Sequence, residues 1–286
     1  MGKVDQEKNG KLHSFLIRTL SAAVLIGIAF AAIIPGGIPL ITVNYILALI
    51  GTMEVMRLVG THKTVLAVLT YISETCLYCL IYFNQKQFLI PLIMLYLLAL
   101  FVVMVVHYPK FEATKVFVTF GALIYVGLGL SFLYQTRMQV ESGKFIVWLI
   151  FIGSSVSDTG AYLTGMLLGR HKAFPKLSPK KSVEGCIGGI LFSVAFGIGY
   201  NLLLHYRFGV NFLHLWQIAL ICAIASVCAQ TGDLAASAIK RFFDIKDYGK
   251  LIPGHGGIMD RFDSIIFVSP LVYYLASAFS GALITK

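Results

Sequence analysis

Charged side chains are scarce in this chain of 286 residues. Only 13% of the residues are Asp, Glu, Lys or Arg, whereas 58% are apolar. A soluble domain usually carries about 25% charged residues. The apolar runs lack the period-2 alternation of outer-membrane barrel strands, and there is no internal repeat of the kind that builds many transporters. The composition therefore predicts an all-α, polytopic integral membrane protein.

Cysteine is also sparse, with five residues in the chain. Cys76 and Cys79 have C-x-x-C spacing, but they lie inside an apolar stretch and no second pair accompanies them. Small packing residues are therefore a better interpretation than a metal or redox site.

Apolar stretches long enough to cross a bilayer recur along the chain. A hydrocarbon core about 30 Å thick is crossed by about 20 mostly apolar helical residues. Nine such stretches predict about nine transmembrane helices, at 19–34, 38–55, 65–83, 88–106, 116–135, 145–168, 183–204, 213–238 and 264–284. The first stretch follows a basic start and would also suit a cleaved signal peptide, but the absence of a small-residue cleavage site before Pro35 favours a retained helix.

The basic residues predict the orientation of this bundle. With the N-terminus inside, 18 of the 23 Lys and Arg residues fall on the inner side, as the positive-inside rule requires. The N-terminus and the two long loops at 170–182 and 240–263 are thus expected in the cytoplasm. The net charge of +10 is then explained by topology and anionic lipid, and no nucleic acid partner is predicted.

Polar residues divide the chain into two parts. Residues 1–144 have short loops and few polar groups, which is typical of a transmembrane scaffold, whereas residues 145–286 carry the candidate functional residues. In the first part, Glu54 is three residues before Arg57, so an i,i+3 ion pair would explain it. Glu74 has no partner that the sequence can name.

Two aspartates lie within the predicted spans of the second part. Asp158 shares a helix face with small and hydroxyl side chains, which indicates a helix lining a cavity, although interhelical hydrogen bonds would also explain it. Asp233 is followed on one face by Ser237, Lys240 and Arg241. A carboxylate, a hydroxyl and two cations in that order suit a metal ion bound to a polyphosphate.

The loop at 240–263 contains a glycine-rich turn. Gly254, Gly256 and Gly257 allow the backbone to turn sharply and to bring N–H groups close to an anion. His255, between them, could bind phosphate or a metal or transfer a proton, or it could be an ordinary loop residue.

Two acids follow this turn. Asp260 and Asp263 flank Arg261 and would share a helix face. They suit a divalent-ion site opposite Asp233, although acids are favoured at any helix N-terminus.

The other loop, at 170–182, is rich in lysine. Pro179 suits the first turn of the following helix, with Ser178 as its cap. Lys180 and Lys181 would then surround a helix N-terminus, where anions bind readily. Positive-inside charge explains part of this pattern. Gly185 and Gly189 form a small-xxx-small pair that predicts close helix packing.

These stretches resemble the phosphatidate cytidylyltransferases, also called CDP-diacylglycerol synthases. The resemblance rests on SAIKR at 237–241, KD at 246–247 and LIPGHGGIMDRFD at 251–263, together with SDTGAY at 157–162 and SPKKSVEG at 178–185. It covers roughly residues 154–264. It implies that CTP and phosphatidic acid react to give CDP-diacylglycerol and pyrophosphate, in phospholipid biosynthesis at a bacterial inner (plasma) membrane.

The resemblance implies a pair of metal-binding aspartates, and the chemistry of phosphate transfer predicts roles for the residues around them. Asp233 and Asp260 would hold Mg²⁺, and a second cation is compatible with the same site. Lys240, Arg241 and Arg261 would contact phosphates, while Lys180 and Lys181 would receive the phosphate of CTP or of the lipid. The supporting residues in the catalytic or substrate site would be Asp158, Asp263, His255, Asp247, Ser178, Ser237, Gly256 and Gly257.

Two other functions are compatible with parts of this pattern. A CTP-dependent polyprenol or phytol kinase would share the metal and nucleotide chemistry, but the intact 246–263 signature favours the cytidylyltransferase. An ion-coupled transporter could use Asp158 and Asp233, but it would leave the Gly-His-Gly-Gly turn unexplained. The sequence does not decide whether the chain forms oligomers.

Overall fold

The computed structural model describes residues 19–254 and 256–280, and these residues form a bundle of helices with one short hairpin. The nine helices of this described part are α1 (Thr19–Ile33), α2 (Gly37–Leu58), α3 (Val65–Tyr82), α4 (Lys86–Val106), α5 (Ala113–Gln139), α6 (Gly143–Leu168), α7 (Val183–Phe208), α8 (Leu215–Phe242) and α9 (Met259–Phe279). Eight of them are long and apolar enough to cross a membrane, and α1 is shorter. The predicted all-α polytopic class is confirmed.

The helices near the two long loops extend further than hydropathy predicts. Helix α8 continues to Phe242 rather than ending at 238, and α9 begins at Met259 rather than at 264. Hydropathy detects only the apolar part of a helix, whereas long basic side chains such as Lys240 and Arg241 continue it towards the interface. Asp260 consequently lies in the first turn of α9. The predicted end of this span, 281–284, lies outside the described residues.

The hairpin between α6 and α7 replaces part of a predicted helix. Its antiparallel strands are β1 (Lys172–Phe174) and β2 (Ser178–Ser182). The prediction that Ser178 caps a helix containing Pro179 is therefore wrong. The cap is Ser182, whose Oγ accepts a hydrogen bond from the Gly185 N–H at 3.1 Å. Ser178 lies four residues earlier in the chain, so it cannot reach this backbone donor.

Helices α6 and α7 pack closely through small residues. A Cβ atom added to Gly185 would lie 2.8 Å from the Ala161 carbonyl oxygen, and one added to Gly189 would lie 2.9 Å from that of Ser157. The predicted small-residue packing is confirmed. Because α7 begins directly after β2, this contact fixes the hairpin relative to α6.

The apolar surfaces of the bundle divide between core and lipid. Helix α4 exposes large side chains along its length, including Ile90, Leu98 and Val105, as a helix facing lipid does. By contrast, α9 is packed against α5, α6 and α8. Short π-helical segments interrupt α5 at Leu123–Leu128 and α6 at Ile152–Val156, and the second ends immediately before the helical turn that carries Asp158.

Candidate active site

A cavity of about 380 Å³ opens at one end of the bundle, between α6, β2, α7 and α8. It is lined by two acids and two lysines, together with Tyr162 and Gln230; the charged residues are Asp158, Lys180, Lys181 and Asp233. The Lys181 ammonium lies 2.5 Å from the Asp233 carboxylate, and the Asp233 side chain keeps 36% of its surface exposed. The structure therefore brings together the two regions that the sequence singles out separately.

A buried hydrogen bond fixes α6 against α8 beneath this cavity. The hydroxyls of Ser157 and Ser226 are 2.6 Å apart. Ser157 directly precedes Asp158, and Ser226 lies two turns before Asp233 on α8. The carboxylates of Asp158 and Asp233 lie close enough to interact electrostatically with each other and with Asp263 of α9.

Asp260 lies deeper and is surrounded by donors. Its Oδ1 is 3.1 Å from the Lys240 ammonium. Its Oδ2 accepts hydrogen bonds from the N–H groups of Tyr248, at 2.8 Å, and Gly257, at 3.0 Å. Only 4% of the Asp260 side chain is exposed. This aspartate therefore ties α8 and the loop to the start of α9.

Tyr248 contacts both α8 and the Lys240 side chain beside Asp260. Its hydroxyl donates to the Ala236 carbonyl at 3.2 Å, and its ring lies under the Lys240 ammonium at 5.6 Å. Burial, followed by the nearby Asp260 and Asp263, raises the pKa of the Tyr248 hydroxyl. The phenol therefore stays neutral and donates a hydrogen bond, while its ring face receives the cation.

The glycine-rich turn has the backbone that the sequence predicts. Gly254 and Gly256 have φ angles of 73° and 85°, and Ile252 pairs with Gly256 in an isolated bridge. The N–H of Gly257, however, is directed at the protein's own Asp260. His255 lies outside the described residues, so its predicted role stays a prediction.

The first part of the chain contributes one carboxylate to this region. Glu54 of α2 is 1% exposed and accepts hydrogen bonds from the N–H groups of Ile258, at 3.2 Å, and Met259, at 2.9 Å. The predicted Glu54–Arg57 pair is therefore not what satisfies this carboxylate; the Arg57 guanidinium instead contacts the Met53 sulfur at 3.7 Å. Sequence spacing predicts only the local partner, because a contact with a backbone donor 204 residues away produces no pattern in the sequence.

The remaining predicted residues lie in three different places. A second cavity, of about 560 Å³, is lined by Lys246, Asp247, Lys250, Gly256 and Arg261. Ser237 and Arg241 lie on α8, one and two turns beyond Asp233, and Ser178 opens β2. Gln230 and Tyr248 are site residues that the sequence interpretation missed, whereas Tyr162 lies on the Asp158 face that the sequence predicts to line a cavity. Gln230 was detectable, because it lies one turn before Asp233 in an apolar helix.

The donor set suits Mg²⁺ by its chemistry. In the part of the chain that the structure describes, no three His, Cys, Asp or Glu side chains cluster as a metal cage. Mg²⁺ usually takes only one or two carboxylates and completes its shell with water and substrate phosphates. Asp233 is open to the cavity, and the Oδ1 of Asp260 has a second lone pair beyond its contact with Lys240.

These features define a class: a multi-pass membrane protein with a site of paired carboxylates and lysines at one end of its bundle. Residues 16–279 match the cytidylyltransferase family, and the chain belongs to that family. Among similar proteins is the phosphatidate cytidylyltransferase of Staphylococcus saprophyticus, with 31% identity over 91% of this chain and 98% of the relative. Those of Staphylococcus haemolyticus and Staphylococcus aureus strain COL are each 33% identical over the same shares.

Proposed function

We propose that the chain transfers the cytidylyl group of CTP to phosphatidic acid, giving CDP-diacylglycerol and pyrophosphate. The observation that carries this proposal is the pairing of Lys181 with Asp233 and of Lys240 with Asp260 at one end of the bundle. Membership of the cytidylyltransferase family, and the names of the relatives, give the same substrates.

The reaction needs little acid–base chemistry. A phosphate monoester has a second pKa near 6, so the lipid phosphate is mostly dianionic at neutral pH. One of its oxygens attacks the α-phosphorus of CTP, a new P–O bond forms, and the bond from that phosphorus to the β-phosphate oxygen breaks to release pyrophosphate. The protein must hold two polyanions together and stabilise the charge on the leaving group.

The charged residues suit this task. Asp233 and Asp260 would hold Mg²⁺, which when bound supplies a Lewis acid to the phosphate oxygens. Lys181 would turn its ammonium from the ion pair towards phosphate, Lys240 would shift its hydrogen bond in the same way, and Lys180, Arg241 and Arg261 would add positive charge around it. Asp158 and Asp263 would keep the lysines oriented.

The membrane and the orientation are part of the proposal. We place the protein in the bacterial inner membrane, with the site facing the cytoplasm where CTP is made. The supporting observations are the Lys and Arg distribution, with 18 of 23 on that side, and the bacterial source of the relatives.

A turnover assay tests this function. Purified protein receives phosphatidic acid, CTP labelled on the α-phosphate, and Mg²⁺, beside the variants Asp233→Asn and Asp244→Asn. Asp244 is exposed and has φ 50°, a conformation that asparagine accepts well, so it controls for the change of Asp to Asn. Labelled CDP-lipid and pyrophosphate are expected in equal amounts from the wild type and the control, with little from Asp233→Asn.

Other outcomes would contradict the proposal. Formation of CDP and a phosphorylated alcohol, only when a long-chain alcohol is supplied, would establish the lipid kinase instead. If CTP neither binds nor reacts, Asp158 and Asp233 would be re-examined as part of an ion pathway.

A further inference from the structure

We infer that Glu54, from the half of the chain that carries no signature motif, is a positioning residue that holds the start of α9 in its working geometry. This inference rests on the proposed function for its kinetic consequences, but its structural part does not. Glu54 touches neither of the two cavities described above, so it acts through the residues that it holds.

The first step concerns the cost of burying this carboxylate. Glu54 is 1% exposed, and an ionised carboxylate away from water must be compensated by hydrogen bonds or by opposite charge. Its compensation comes from the Ile258 and Met259 N–H groups. They belong to the N-cap residue and the first residue of α9, whose N–H groups have no acceptor within the helix itself, and the positive end of the helix dipole adds to the attraction. One side chain therefore caps a helix from a different part of the chain.

The second step concerns two glycines of the signature loop, residues 246–263. A Cβ atom on Gly249 or on Gly257 would collide with the Glu54 carboxylate. The loop therefore approaches so closely that these two positions have no space for a side chain. The glycines serve the contact with Glu54, in addition to the sharp turn at Gly254 and Gly256.

The third step connects this contact to the site. Met259 directly precedes Asp260, and Gly257, whose Cα packs against Glu54, donates its N–H to the Asp260 Oδ2 at 3.0 Å. One turn earlier on α2, Gly51 lies against the side chains of Ile258 and Met259. Displacement of the α9 start would thus move Asp260 together with its Lys240 partner.

Glu74 provides a matched control. It is also a fully buried glutamate of the first half, on the neighbouring helix α3, and its Oε1 accepts a hydrogen bond from the Thr52 hydroxyl at 3.0 Å. Its contacts include Gly127 of α5, and neither Thr52 nor Gly127 belongs to the loop that Glu54 holds. Replacement of either glutamate by glutamine makes the same chemical change in the same half of the protein.

The experiment compares Glu54→Gln, Glu54→Ala and Glu74→Gln in the full chain. Amide hydrogen exchange over residues 245–260 measures how firmly the loop and the start of α9 are held, and it does not depend on turnover. We expect exchange there to rise about tenfold in Glu54→Gln, which keeps one acceptor oxygen, and further in Glu54→Ala, which removes the acceptor of both N–H groups. Glu74→Gln should leave this segment unchanged.

Kinetics provide the second readout. Because misplacement by about 1 Å can cost on the order of 10²-fold in rate, kcat should fall in the order wild type, Glu54→Gln, Glu54→Ala, and the Mg²⁺ concentration for half-maximal rate should rise in the same order. Unchanged exchange over 245–260 in Glu54→Ala would overturn the inference, as would equal effects from Glu74→Gln. If the wild type makes no CDP-lipid, the proposed function is refuted. The hydrogen-exchange result would still test whether Glu54 holds the start of α9.

Discussion

The Lys181 ammonium and the Asp233 carboxylate, 2.5 Å apart, join the hairpin to helix α8 in the lining of the 380 Å³ cavity. Within the described residues, the contact with Asp233 is the one ion pair of Lys181, and its nitrogen has no other hydrogen-bond partner. A cation held in this way by one carboxylate can turn its N–H groups to an entering phosphate at low cost.

Neutralising Lys181 is therefore expected to weaken nucleotide binding more than it disturbs the fold. For Lys181→Gln we expect the KM for CTP to rise about tenfold or more, because a charge-assisted hydrogen bond to phosphate is lost. The comparison is Lys172→Gln, which makes the same change at an exposed site on the partner strand β1. Steady-state kinetics at saturating phosphatidic acid measure both, and equal effects from the two variants would contradict the assignment.

Asp260 is expected to matter for both stability and turnover. Asp260→Asn weakens the Lys240 contact and places an amide where the Tyr248 and Gly257 N–H groups need an acceptor. We expect a loss of about 2 kcal/mol in the free energy of unfolding, with turnover reduced to near background. Thermal unfolding in detergent and the turnover assay measure the two effects. An active enzyme of wild-type stability would show that this network is dispensable.

Removal of divalent ions tests the proposed metal site. A chelator should abolish turnover, and added Mg²⁺ should restore it. The residual turnover of Asp233→Asn should need about tenfold more Mg²⁺ for its half-maximal rate, because the metal site is weakened. Titration of turnover against Mg²⁺ in the wild type and in this variant measures the shift. Full turnover in the presence of chelator would remove Mg²⁺ from the mechanism.

The sequence predicts the helices of this protein better than it predicts their ends. Apolar runs identify each helix from α1 to α9, because burial in lipid demands them. The start of α9 and the hairpin at Lys172–Ser182 escape prediction, since polar capping rather than hydropathy decides them. Glu54 escapes for a different reason. Its partners are backbone N–H groups in a loop more than 200 residues away, and a single sequence carries no pattern for such a contact.

The contact between α6 and α7 yields the last prediction. Gly185 and Gly199 lie on the same helix, but an added Cβ at Gly185 would meet the Ala161 carbonyl oxygen, whereas one at Gly199 would meet nothing within 4 Å. Gly185→Ala should therefore lower the free energy of unfolding by about 1–3 kcal/mol through overpacking. Gly199→Ala should be neutral or stabilising by up to about 1 kcal/mol, because alanine favours the helix. Thermal unfolding of both variants in one detergent measures the difference.

Since the contact also holds the hairpin with Lys181 against α6, Gly185→Ala should raise the KM for CTP and Gly199→Ala should not. Equal stability of the two variants would mean that the helices can separate at this point without cost.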